Sequence, residues 1–337
     1  MFHQIFKHKL LSLIIVLFFA LILLSLSHIP DKSELKYGVS FSKFHSDELG
    51  LDWKETYLAI LDDLGVKRLR LSAHWPMVEP KMGEYNFEEL DYQIAEAEKR
   101  DVEVIFAVGR RLPGWPECHD PDWAKELSQE EKNNRILSYI KETVSRYKDS
   151  SAIKIWQVEN EPFLGFFGRS HCGEFDDDFL DKEINLVKQL DTTRPVLITD
   201  SGEFGKWWQA HNEGDHFGTS MYLYVWWRNK YIGGPIRYPI TPAFFRIKHN
   251  FIKLFNEDKP AMVIELSAEP WLLQPIVETP LDVQLDRMGI DKFNEIIEFS
   301  NRTGFNTFYL WGAEWWYYLK KHENYPEHWA RAQELFR

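Results

Sequence analysis

Cysteine is almost missing from this chain: Cys118 and Cys172 are the only two in 337 residues. Two cannot build a disulfide scaffold, although they can make one bridge in an exported protein. No CxxC, HExxH or His-rich cluster occurs, so neither a structural zinc nor a metal-hydrolase centre is expected, and no cofactor is implied. A metal-dependent barrel hydrolase also lacks the clustered His and Asp it would need at strand ends. There is no basic stripe; the formal net charge is −12, which argues against nucleic acid as a partner. No Pro/Gly/Ser-rich linker, charge block or low-complexity run divides residues 34–337, so they read as one domain.

What is present begins with an unusual N-terminus. Residues 1–9 carry Lys7 and Lys9, and Leu10 to Ser27 then runs without a charge. About 18 apolar residues are near the minimum for a membrane-spanning helix and longer than most signal-peptide cores. The lysine pair favours a cytoplasmic N-terminus. The expected layout is therefore a cytoplasmic segment 1–9, a transmembrane signal anchor 10–27, and a monomeric domain 34–337 outside the cytoplasm. Cleavage as a signal peptide stays open, because Ser25-Leu26-Ser27 is a tolerable small-x-small site. Either way the domain is exported.

Aromatic residues are abundant, with 14 Trp, 14 Tyr and 24 Phe. Indole faces suit the C–H faces of sugar rings, although many of these side chains must simply be core. Strand-like and helix-like segments alternate after the apolar run. The strands read as 37–42, 68–75, 102–109, 153–160, 195–202, 216–222, 261–267 and 306–312. Helices are expected at 55–65, 87–100, 128–147, 178–190, from Thr241-Pro242, near 282–300 and near 327–335, with Ser128 and Glu131 in capping-box spacing. Eight strand–helix repeats in one direction predict a parallel sheet closed into a (β/α)8 TIM barrel, preceded by one N-terminal hydrophobic helix. A doubly wound open sheet is the alternative, but YGVSFSKFHSDELG has no Gly-rich phosphate loop after the first strand.

In a barrel, the loops at the strand C-termini build the site. Two buried-looking strands there end on carboxylates: WQVENEPF on Glu161 and PAMVIELSAEPW on Glu265. A bare Glu at the end of an apolar run is costly unless it has work to do. Paired carboxylates across one cleft are the minimum equipment for cleaving a glycosidic bond with retention. The other strand ends supply Arg70, His74-Trp75, Asn160, Tyr222 and Trp311.

Asn160-Glu161-Pro162 after strand four and Ile264-Glu265-Leu266 on strand seven resemble the signature of clan A retaining glycoside hydrolases. WPMVEPKMGEYNFEELD, Trp75 to Asp91, is also similar to the second-strand region of several families of that clan, including the family 42 β-galactosidases. The likeness runs from Tyr37 to about Trp316. It implies Glu161 as general acid/base and Glu265 as nucleophile. It further implies Arg70 as the group that keeps the nucleophile ionised, Asn160 on the sugar 2-hydroxyl, Tyr222 orienting Glu265, and Trp311 as a platform under the sugar; Trp75 joins the substrate-binding set. Core packing remains open for Tyr222 and Trp311, and an ion pair for Arg70. The function implied is hydrolysis of a β-linked oligo- or polysaccharide by double displacement; the alternative is a carbohydrate-binding barrel at the cell surface that does not cleave.

Neighbouring carboxylates compete for these roles. Glu159 shares a face with Glu161 but is expected deeper in the barrel. Glu269 could hold a sugar hydroxyl, and Glu79 and Glu314 could line the cleft, although solvated loop positions are the expectation for both. Strand three ends in Gly109-Arg110-Arg111 without the His that several families of the clan place there, so Arg110 or His119 is expected to stand in. Cys118 lies in that loop and Cys172 in the next one. Consecutive barrel loops are neighbours, which predicts a Cys118–Cys172 disulfide at the cleft rim.

Overall fold

Eight parallel strands close into a barrel in which every strand lies beside its neighbours in sequence. This computed structural model describes residues 15–16, 19–26, 28–114, 117–165, 169–173, 175–225, 236–272 and 274–337. The strands are β1 (Lys36–Ser40), β2 (Arg68–Ser72), β3 (Glu103–Val108), β4 (Ile153–Val158), β5 (Val196–Asp200), β6 (His216–Met221), β7 (Ala261–Ser267) and β8 (Thr307–Trp311). The surrounding ring contains α1 (Trp53–Asp62), α2 (Glu88–Glu98), α3 (Gln129–Tyr147), α4 (Asp177–Leu190), α5 (Trp208–Glu213), α6 (Pro242–Phe255), α7 (Ile290–Ser300) and α8 (Glu327–Phe336).

Local sequence explains where these elements start and stop. Ser128 accepts the Glu131 amide and its own amide donates to the Glu131 carboxylate, the reciprocal cap that launches α3. Pro242 opens α6, where a missing N–H costs nothing. The single helix expected near 282–300 is two, Leu281–Arg287 and α7, because Gly289 restarts the chain as the second N-cap. A further helix, Ala313–His322, follows β8 where none was anticipated.

Two apolar layers result. Ile105, Leu197, Met262, Ile264 and Tyr309 fill the barrel interior, and a larger core lies between strands and helices. One irregularity bears on the site. Thr219 pairs with Val263 but Ser220 pairs with Glu265, so Ile264 is an extra residue in β7. Such a bulge re-aims the side chain that follows it, here Glu265.

Residues 19–25 are helical, whereas much of the expected span 10–27 and all of segment 1–9 fall outside the described residues. Among the described residues no helix is long and apolar enough to cross a membrane.

Candidate active site

Arg70 projects from the middle of β2 and is the hub of the cleft floor. Its Nε donates to Gln157 Oε1 at 2.9 Å, Nη2 to Asn160 Oδ1 at 2.6 Å, and Nη1 to Glu265 Oε2 at 3.1 Å. A guanidinium in a fixed fork is suited to hold three groups at once. The Tyr222 hydroxyl donates to the other oxygen, Glu265 Oε1, and the Tyr222 ring meets Trp271 at 5.3 Å. Both oxygens of Glu265 therefore have a charged or polar donor.

Glu161 follows β4 through strained backbone. Glu159 and Glu161 both have positive φ, 57° and 44°, with Asn160 between them. Left-handed backbone at a non-glycine residue costs roughly 1–3 kcal/mol and persists only when its surroundings hold it. Here the Glu161 amide donates to Thr199 Oγ1 at 2.8 Å, and the Glu159 carboxylate accepts the Arg110 and Arg111 amides at 2.5 and 2.7 Å. Gly109 is required beneath it, since a Cβ there would sit 2.4 Å from Glu159 Oε1. Glu159 thus ties the β3 and β4 loops together, and its carboxyl meets Glu183 of α4 in the layer between strands and helices, not deeper in the barrel as expected. Glu161 is buried and its Oε1 has no hydrogen-bond partner. Burial, then the charge of Glu265, then that of Glu117 push it well above the usual carboxylate range.

The strand-three loop differs from expectation. Arg110 turns to the rim, donating to Asp120 at 2.7 and 2.8 Å and to the Cys172 carbonyl at 2.7 Å. His119 stacks on Phe44 and meets the edge of His74. It is Arg111 that turns inward, its Nε 2.5 Å from Glu117 Oε2, with both side chains buried. Glu117 has positive φ and lies within electrostatic reach of Glu265 and Arg70. Burial, against the pull of Arg111, pushes it up to about 7. The sequence reading missed this third carboxylate; its one signal was a Glu beside a cysteine in a loop otherwise rich in Pro and Gly. Cys118 and Cys172 are joined, their Cα atoms 5.3 Å apart.

Across the cleft, Trp311 ends β8 with its Nε1 buried and unpartnered, and its ring lies 5.9 Å from His45. His45 Nε2 meets Glu269 Oε2 at 2.8 Å. Although burial opposes it, the Glu269 charge raises the His45 pKa well above its ordinary value. Glu269 is therefore already engaged by His45.

Three expectations are corrected. Trp75 does not reach the cleft: it is 1% exposed, donates to Glu79 Oε2 at 2.8 Å, and packs against Trp123 and Tyr139 in the helical layer. Pro76 starts a short helix, Trp75–Val78, immediately after β2 and carries the ring away from the barrel axis. Glu79 is not solvated either; it is fully buried, accepting Trp75 and the Gly83 amide and contacting Arg135. Glu314 is likewise buried, accepting the Ser42 amide at 2.6 Å.

Comparison with known proteins places this arrangement. The Glycosyl hydrolase family 10 model matches residues 70–172, which include Arg70, Asn160 and Glu161. Beta-galactosidase LacZ of Lactobacillus acidophilus is 24% identical over 115 residues, 29% of this chain and 17% of that protein. A probable mannan endo-1,4-beta-mannosidase A of Aspergillus niger is 25% identical over 134 residues, 36% of this chain and 32% of that one. The chain spans less than half the length of these curated relatives. Among solved structures, GH5_18 from Bifidobacterium longum subsp. longum aligns with a TM-score of 0.57 at 15% identity, covering 82% of this chain and 69% of that one. Native xylanase 10B from Thermotoga maritima aligns at 0.53 and 19% identity, covering 90% and 95%. Family model, relatives and folds together support the resemblance drawn from the sequence, to a clan A (β/α)8 glycoside hydrolase.

Proposed function

We propose that the chain is a retaining glycoside hydrolase acting on a β-linked oligo- or polysaccharide. The observation that carries this reading is the contrast between two neighbouring glutamates. Glu265 is held at both oxygens, by hydrogen bonds from Arg70 and Tyr222, which fix its orientation. Glu161 is buried with a free oxygen and is driven towards its protonated form. A carboxyl group driven towards its protonated form suits the acid, and a carboxylate oriented by two donors suits the nucleophile.

In the first step Glu161 gives its proton to the glycosidic oxygen as that C–O bond breaks. Glu265 forms an ester bond to the anomeric carbon, and the aglycone leaves. Esterification removes the Glu265 charge, so Glu161 becomes a base able to deprotonate water. The water oxygen attacks the anomeric carbon, the ester bond breaks, and both glutamates return to their starting states. Asn160, whose Oδ1 is held by Arg70, has its amide N–H groups left to donate to the sugar 2-hydroxyl, a contact that strengthens in the transition state. Trp311, at the end of β8, provides the sugar platform. Mannan, β-galactoside and xylan are the polymers and glycosides to test, after the names of the relatives. The apolar run 10–27 tethers the domain outside the cytoplasm.

The experiment is mass spectrometry after incubation with activated 2-deoxy-2-fluoro glycosides of mannose, galactose, glucose and xylose. A peptide adduct on Glu265 is expected with one of them. Failure of all four, together with no hydrolysis of a broad polysaccharide panel, would sink the reading and leave a barrel that binds sugar without cleaving it.

A further inference from the structure

The outer face of α6 is wrong for water. A barrel helix turns its polar side to solvent, as α4 does with Asp177, Asp178, Asp181 and Lys182. The α6 sequence PAFFRIKHNFIKLF contains no acidic residue, in a chain of net charge −12. Phe245 and Ile252 already face the core, yet Phe251, Leu254 and Phe255 remain 48%, 66% and 63% exposed. Phe255 meets Phe251 at 5.2 Å and the exposed Trp208 of α5 at 6.2 Å, so these side chains form one continuous patch. Contiguous exposed apolar surface of this kind marks a contact site.

What covers it follows from the chain beside it. Asn250 Nδ2 donates to the Leu24 carbonyl at 2.7 Å and Arg246 Nε to the Ser25 carbonyl at 2.9 Å. The last turn of the apolar run therefore lies on α6, with Leu23 and Leu26 exposed alongside. If residues 10–27 cross a bilayer, this turn is at its surface, and α6 is there too. Direction along the barrel agrees. Phe255 ends α6 shortly before β7 starts at Ala261, and β1 starts at Lys36, so patch and tether share the end where strands begin. Glu161, Glu265 and Trp311 lie at the opposite end.

We propose that the barrel docks on a phospholipid bilayer through Trp208, Phe251, Leu254 and Phe255, with its cleft facing away from the membrane. α6 then stands on its C-terminal turn, and exposed Trp, Phe and Leu side chains clustered there suit the headgroup boundary. A 14-residue helix is about 20 Å long at 1.5 Å per residue, which sets the scale of the height of the cleft above the lipid. The enzyme would then reach polymers outside the bilayer and not headgroups lying flush with it. This docking goes beyond the proposed hydrolysis and does not depend on it.

The test uses the full chain in vesicles of equal phosphatidylcholine and phosphatidylglycerol. Because both native cysteines are paired, Leu254→Cys and Met82→Cys each offer one thiol for an environment-sensitive dye. Met82 is exposed in the turn after β2, on the cleft side. A quencher carried on the lipid headgroup should remove most of the signal at position 254 and little at 82. Equal, weak quenching at both positions would overturn docking while leaving the tether intact. Quenching at 82 alone would reverse the orientation, and shielding of 254 in detergent with a doubled mass would make the occupant a second copy. Hydrogen exchange across α6, slowed by vesicles in the unmodified chain, is the check that needs no substitution.

Discussion

The Arg70 guanidinium and the Glu265 carboxylate meet at 3.1 Å, and Arg70 is itself buried beneath the cleft. The pair does more than neutralise charge, because the same guanidinium fixes Asn160 through Nη2. Arg70→Lys keeps the charge but has no fork, so it can hold Glu265 or Asn160 but not both. We expect kcat to fall roughly 10²–10³-fold, the loss typical of removing one preorganised electrostatic donor, with a smaller change in KM. Steady-state kinetics on the substrate named by the fluoroglycoside experiment check this. Unchanged kcat in a folded variant would remove Arg70 from the machinery.

Glu117 gives a sharper test because it acts on Glu161 only through space. After burial and the Glu265 charge, the Glu117 charge is the next contribution raising Glu161. An acid whose pKa is raised keeps its proton, and hence activity, to higher pH. Glu117→Gln removes that contribution and leaves the positive Arg111 facing the site, so Glu161 loses its proton at lower pH. The alkaline limb of the kcat/KM profile should move down, with the acid limb less affected. The shift should be clearest above about 7, where Glu117 itself is ionised. A profile superimposable on that of the unmodified protein would show that the pair is merely structural.

The barrel was legible because its signals are local and repeated. Strand 261–267 is read with its observed bounds, and the Ser128 capping box launches α3 where spacing placed it. The cleft was legible only where a strand carries the residue. Arg70 and Glu265 lie on strands, and Asn160, Glu161 and Tyr222 directly follow them. Trp75 misled because a chain leaving a strand can turn either way, and Pro76 turned it outward. Glu117 was invisible for the complementary reason. Its position depends on a partner six residues away and on a disulfide bridging a separation of 54, neither of which leaves a periodic trace.

That disulfide joins the loop carrying Glu117 to the loop after Glu161. Closing a chain of this length stabilises a fold by about 4 kcal/mol in the loop-entropy account, within an observed range of roughly 2–5 kcal/mol for native bridges. Cys118→Ser/Cys172→Ser should therefore lower unfolding free energy by that order in a urea titration. It should also move the alkaline limb in the same direction as Glu117→Gln, because the loop that presents the Glu117 charge is released. Lost stability with an unmoved limb would confine the bridge to a structural role.

Glu183 makes the last prediction, on stability alone. It sits on α4, fully buried, with its carboxyl group against that of Glu159. Burial and then the charge of Glu159 hold its pKa well above the usual carboxylate range. Folded protein therefore keeps a proton that the unfolded chain releases near the ordinary value of about 4.3. With more protons bound in the native state, stability falls as pH rises from that value to the native pKa. Glu183→Gln has the same shape and cannot ionise, so this penalty disappears. The variant should melt higher than the unmodified protein at pH 8, and the advantage should shrink towards pH 4. A Tm difference that is independent of pH would mean that Glu183 is charged in the fold, contrary to this account.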